Sequence, residues 1–205
     1  MNKLLRGALV SAVVFSVLNE LLILIDRYVI LLITRSMGAD LYQWTHTIYS
    51  VEDVLFFCVQ LSFVVAGIAL IAANRKSVPA LIGGAVLSVR GLMLSVQIVL
   101  WRVFEFAGNL DAQGMVYSRT SSLIQLALIA VAYVLIALHY DSKAMLWVGI
   151  AMIVLKAVIQ VLYVCPQYHL LSTVPYVILA GSCSFAIFVV GLIYLIFWLR
   201  KTSQK

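Results

Sequence analysis

Four ionisable residues stand inside long apolar runs of this chain: Glu20, Glu52, Arg90 and Lys156. A charged side chain in hydrocarbon is expensive, so such residues face a protein interior or a wet cavity and find a partner there. Two chemistries suit this set. Burial moves a carboxylate or an ammonium toward neutrality, which lets Glu20 or Lys156 exchange a proton. A guanidinium such as Arg90 offers a planar fork of donors to a carboxylate or phosphate. Gln60, Gln97 and Gln160 occur in the same runs and are suited to orient such a ligand.

Spacing groups these residues. Glu20 and Arg27, Asp53 and Gln60, Arg90 and Gln97, and the series Ser88, Ser95, Arg102 all recur at heptad intervals, and Gln160 follows Lys156 by one turn. Residues so spaced share a helix face. Counting about 1.5 Å per residue from the helix ends puts Glu20, Gln60, Arg90, Lys156 and Gln160 near one depth. Helices 1, 2, 3 and 5 therefore each carry a polar stripe. Lipid would penalise these stripes, so they are expected to face one another around a cavity that opens outward. Helix 4 is expected to contribute less, through Ser121, Ser122, Gln125 and Tyr133.

The elements that must position these side chains follow from composition. The chain has 205 residues, 64% hydrophobic and 11% charged, with a mean hydropathy of +1.11. Soluble domains run near a quarter charged, so lipid is the expected solvent. A span needs roughly 20 mostly apolar residues, and six such stretches are present. The expected fold is all-α: a polytopic membrane protein with a single domain over 1–205 and six transmembrane helices in one bundle. The helices are expected at about 4–34, 44–73, 80–106, 118–140, 144–164 and 176–199. Pro79 is placed to open the third.

The formal net charge of +6 reflects topology rather than nucleic-acid binding. With the N-terminus inside, the inner side collects Lys3, Arg6, Arg75, Lys76, Lys143, Arg200, Lys201 and Lys205. That bias predicts cytoplasmic N- and C-termini. Trp44, Trp101, Trp147 and Trp198 fall near span ends, as an interfacial aromatic belt requires. Lys3 and Arg6 ahead of an apolar run resemble a signal peptide, but no small-x-small cleavage site follows, so a retained first helix is expected. The cell membrane is the expected location.

A second charge layer lies nearer the outer boundary. Asp26-Arg27 and Glu52-Asp53 are equally distant from the first turn, so an antiparallel hairpin would let Arg27 pair with Glu52 or Asp53. This layer would line the entrance to the cavity. Cys58, Cys165 and Cys183 form no framework. His46, His139 and His169 fall near span ends on different sides and make no metal or haem site. No HExxH, GxSxG or phosphate-binding loop occurs, so catalysis ranks low and no cofactor is expected. Ala8 and Ala12 form a small-xxx-small pair that could seat a helix of a membrane partner subunit. The alternative is packing within the bundle, and the motif occurs too widely to identify a family.

Two functions remain. In one, the chain binds and translocates a small solute or ion through the outward-facing cavity. Arg90 and Lys156 outnumber Glu20 at mid-depth, which suits an anionic solute, with a proton as the other candidate. In the other, the chain is a non-catalytic membrane subunit or assembly scaffold. Its charges then only lock helix packing, for example Glu20 with Arg90 or Lys156.

Overall fold

A computed structural model describes the backbone of residues 2–25, 42–108, 119–164 and 174–204. These residues form six helices: α1 (Asn2–Leu24), α2 (Tyr42–Ala73), α3 (Val78–Phe106), α4 (Arg119–His139), α5 (Lys143–Val164) and α6 (Val174–Gln204). Four contain stretches long and apolar enough to cross a membrane: Lys3–Leu24, Thr47–Ala73, Val78–Glu105 and Ser182–Gln204. In α4, Ile124–His139 is a shorter apolar helix. The far part of the expected first helix, including Asp26 and Arg27, lies outside the described residues.

Local chemistry explains the element ends. Pro79 occupies the first turn of α3, where its missing N–H costs nothing and its fixed φ suits the helix. Ser77 precedes it in an extended conformation without capping α3 through its side chain. Its hydroxyl instead meets His139 Nδ1 at 2.7 Å, tying the α2–α3 turn to the end of α4. The α4–α5 turn is tight. Asp141 adopts φ of 46°, and the Ser142 N–H donates to the Ala137 carbonyl at 3.1 Å. This is the left-handed exit that closes many helices.

At α6 the helix is longer than expected. It begins at Val174, with Pro175 in its first turn, and continues through Arg200 to Gln204. Thr202 is buried, and its hydroxyl donates to the Leu199 carbonyl at 2.8 Å. Packing and this local bond hold the last turn helical, where hydropathy alone suggests a polar tail.

Each helix packs mainly on its sequence neighbours, and α6 returns to α1. The six therefore form a closed ring in chain order, whose sparsest seam is α1–α6. Both termini and the short turns 74–77 and 140–142 share one end, called the terminus end below. The core fills this end: Leu5, Leu9, Leu70, Ile136, Met145 and Trp198 are all at most 1% exposed. Ala8 and Ala12 belong to the same buried cluster, so this chain's own helices already occupy that face of α1. Trp198 also neighbours Tyr140 in the α4–α5 turn. Burial pushes the Tyr140 hydroxyl above its ordinary pKa, and Trp198 partly offsets the shift.

The tightest seam is α2–α3, made by Gly67, Gly84, Ser88 and Gly91. A methyl group on Gly67 would collide with Ser88 and the Gly84 carbonyl oxygen. One on Gly84 would approach the Gly67 carbonyl oxygen to 2.7 Å, and one on Gly91 the Gln60 carbonyl oxygen to 2.8 Å. Small residues let backbones approach where lipid supplies no hydrophobic drive between helices. The Ser88 hydroxyl reinforces the seam by donating to the Val64 carbonyl at 3.2 Å. Gly67→Ala should therefore lower thermal stability in detergent by about 1–3 kcal/mol through overpacking. Gly7→Ala, which meets nothing within 4 Å, should leave it unchanged or raise it. Unfolding midpoints of the two variants check this.

Candidate functional site

Arg90 is the centre of the polar layer. The Gly91 contact brings α3 against α2 one residue away, so Arg90 emerges beside Gln60. Its Nη1 lies 3.5 Å from Gln60 Oε1, a long hydrogen bond at the limit of the interaction. Both residues are buried, Arg90 to 7% and Gln60 to 2% exposure. Arg90 is also electrostatically coupled to Tyr133 on α4 and to Lys156 on α5. A side chain on α3 that senses α2, α4 and α5 together points into the ring. Lys156 keeps some surface as a residue, while its ammonium end lies deep among the helices.

Neither cation is neutralised among the described residues. Their ion pairs, Asp53–Arg102 and Arg102–Glu105, involve neither Arg90 nor Lys156. Glu20 is half-buried and takes part in an interaction of its own. Arg90 Nε, Asn19 Oδ1 and Ser95 Oγ are buried without a hydrogen-bond partner. Buried polar atoms are nearly always satisfied by protein, water or ligand, so the unmatched Arg90 Nε leaves a hydrogen-bonding position open beside Gln60. A buried cation without a carboxylate carries a desolvation cost that packing alone does not offset.

Below this layer, toward the terminus end, the ring is closed by aromatic side chains. The Tyr133 and Tyr194 rings stack with centroids 4.2 Å apart and planes 8° from parallel. The Tyr194 hydroxyl donates to the Tyr133 carbonyl at 2.6 Å, which joins α6 to α4 across α5. Gly149 on α5 makes room, since a methyl group there would sit 3.3 Å from the Tyr194 ring. Tyr133 is thus part of the plug.

Above the layer, Gln125 Nε2 donates to Gln97 Oε1 at 2.7 Å, linking α4 to α3. Gln125, one of the residues expected from helix 4, thus meets the Arg90–Gln97 stripe of α3. Gln160 lies on α5 one turn beyond Lys156, but its side chain is outside the described residues. Near the far end the Asp53 carboxylate meets Arg102 Nη2 at 2.6 Å, while Arg27, the partner expected for Glu52 or Asp53, lies outside the described residues. Arg102 Nη1 also reaches Glu105 Oε2 at 2.6 Å. Glu52 is half-buried and engaged in an interaction of its own. Asn19 and Tyr194 escape a reading by charge and spacing. Asn19 adjoins Glu20 and could have been found as its polar neighbour, whereas nothing in an apolar run distinguishes a Tyr194 that caps another helix's carbonyl.

Compared with known proteins, the chain matches no family model, no curated protein and no solved structure. Arg90→Met tests the role of this buried cation directly. Removing one partner of a buried ion pair costs about 3–5 kcal/mol, whereas removing a buried charge that no carboxylate answers relieves its desolvation penalty. Arg90→Met is expected to leave the thermal unfolding midpoint unchanged or to raise it. A collapse in stability would mark Arg90 as a structural lock.

Proposed function

We propose that this chain spans a membrane six times with both termini cytoplasmic, and that it binds and translocates a small anionic solute held by Arg90 and Lys156. One observation carries the reading: two cations share the ring interior, and neither pairs with a carboxylate among the described residues. An anion would neutralise both, with the Arg90 fork orienting a carboxylate or phosphate group. Gln60, already 3.5 Å from Arg90, would hold the guanidinium in place. Gln97 and Gln160 would meet the uncharged parts of the solute, and Glu20 would balance charge or titrate. Asp26, Arg27, Glu52 and Asp53 would stand at the entrance.

The aromatic plug supports a direction for the proposed cavity. Tyr133, Tyr194 and Trp198 are all at most 3% exposed and fill the terminus end, so a solute would enter from the opposite side. Lys3, Arg6, Arg75, Lys76, Lys143, Arg200 and Lys201 cluster at the terminus end and support a cytoplasmic location for it. The competing reading, charges that only lock helices, is favoured at Asp53–Arg102–Glu105, where every charge is paired.

A thermal-shift panel separates the two. Purified full chain would be titrated with inorganic phosphate, sulfate, acetate and succinate, with sodium chloride as ionic-strength control. At least one anion class should raise the unfolding midpoint of the wild type, with affinity reduced at least about tenfold in Arg90→Gln and Lys156→Gln. Unchanged affinity in both variants removes the site. Loss of folding in both, restored by adding Glu20→Gln, establishes the lock.

A further inference from the structure

The fold brings together a nucleophile and a base that lie 62 residues apart in the chain. Ser77 Oγ stands 2.7 Å from His139 Nδ1, at the terminus end and away from the Arg90 layer. Both residues are held in place. The Ser77 N–H donates to the Asn74 carbonyl at 2.9 Å, and the Ser77 carbonyl accepts from the Leu81 N–H at 3.0 Å. His139 is the last residue of α4. The Tyr140 ring meets its imidazole in a T-shaped contact, with centroids 4.7 Å apart and planes at 71°. Tyr140 is itself buried, so a packed neighbour sets the plane of the imidazole.

The serine gives up its ordinary structural role to make this contact. It occupies the N-cap position of α3 in an extended conformation, yet its side chain makes no capping bond. A capping serine contributes about 1 kcal/mol to its helix. Here the hydroxyl turns to the imidazole, and the first N–H groups of α3, at the positive end of the helix dipole, go without it. A hydroxyl beside an imidazole is the pairing that activates a serine as a nucleophile, and N–H groups close to it are suited to a developing oxyanion. The surroundings admit a substrate. Ser77 borders a pocket of about 560 Å3 together with Ala72, Ala73, Asn74, Arg75 and Lys76. Val78 and Leu138, the chain neighbours of Ser77 and His139, are 63% and 54% exposed, so apolar surface flanks the pair. The turn also joins two stretches long enough to cross a membrane, Thr47–Ala73 and Val78–Glu105. Hydrocarbon ends at such a turn, and there the ester groups of amphiphiles meet water.

We infer that Ser77 and His139 form a nucleophilic dyad that hydrolyses carboxylic esters of amphiphiles at this face of the bundle. In the tautomer with its proton on Nε2, His139 Nδ1 accepts the Ser77 hydroxyl proton as general base. Ser77 Oγ then bonds to the ester carbonyl carbon. When the tetrahedral intermediate collapses, the bond from that carbon to the alcohol oxygen breaks, and the proton on Nδ1 passes to the departing oxygen. Water attacks the acyl-serine in the second half. His139 takes one proton from the water and returns it to Oγ as the carboxylic acid leaves. One ester and one water give one acid and one alcohol, with no redox change. The dyad is separate from the Arg90 site, and neither depends on the other.

Intact-mass spectrometry of the purified full chain treated with an alkyl fluorophosphonate tests this, because the reagent phosphonylates serines activated by a neighbouring base. The wild type should gain one adduct, mapped to Ser77 by peptide fragmentation, and should cleave p-nitrophenyl butyrate. Ser77→Ala should lose both the adduct and the cleavage. His139→Gln, checked for folding by its unfolding midpoint, should slow adduct formation by about a hundredfold, the lower end of what a positioned base contributes. A hydrogen bond with a structural role alone would lower the midpoint of both variants and leave the wild type unlabelled. An unlabelled wild type overturns the inference whatever the variants do. So does an adduct that maps to another residue, or a folded His139→Gln that labels at the wild-type rate.

Discussion

The close approach of α2 to α3 is the constraint on which the other features depend. Lipid tails are as apolar as leucine, so helices in a membrane associate through packing and polar contacts rather than through escape from water. Gly67, Gly84 and Gly91 allow backbone-to-backbone contact that no side chain could share. That contact fixes the rotation of α3, and with it the direction of Arg90.

Two parts of the molecule then treat charge in opposite ways. At the far end Arg102 is matched by two carboxylates in a partly exposed setting, where ion pairs contribute little to stability. In the interior, Arg90 is buried with only a glutamine oxygen at 3.5 Å among the described residues, and Lys156 adds like charge. A fold that needed only stability would fill this place with leucine. The aromatic and aliphatic plug supplies the cohesion that lets such a layer persist. Its stacked Tyr133–Tyr194 pair and the hydrogen bond between them hold α4 and α6 together around α5.

Local signals were legible along the chain because they are one-dimensional. Pro79 after a basic turn marks the start of α3, and the apolar runs give α2 to α5 to within about two residues, the usual margin for helix ends. The end of α6 was not legible: Thr202 is held by packing that hydropathy does not record. Heptad spacing correctly groups residues on one face of one helix but says nothing about which helix that face meets. Asp53 illustrates this. It shares a heptad face with Gln60, and only the structure shows that this face brings it to the Arg102 guanidinium on α3.

The sequence by itself determined an all-helical chain with membrane-like helices and a few charges that hydrocarbon would not tolerate. Composition and periodicity suffice for that, because burial in lipid acts on each segment separately. Only the tertiary structure decided that the helices form a ring in chain order, that Gln125 meets Gln97, and that Arg90 meets Gln60 while Arg102 takes both carboxylates. Those outcomes depend on the rotation and register of each helix. Both are set where glycines let two backbones touch, and that contact belongs to a pair of helices rather than to either one alone.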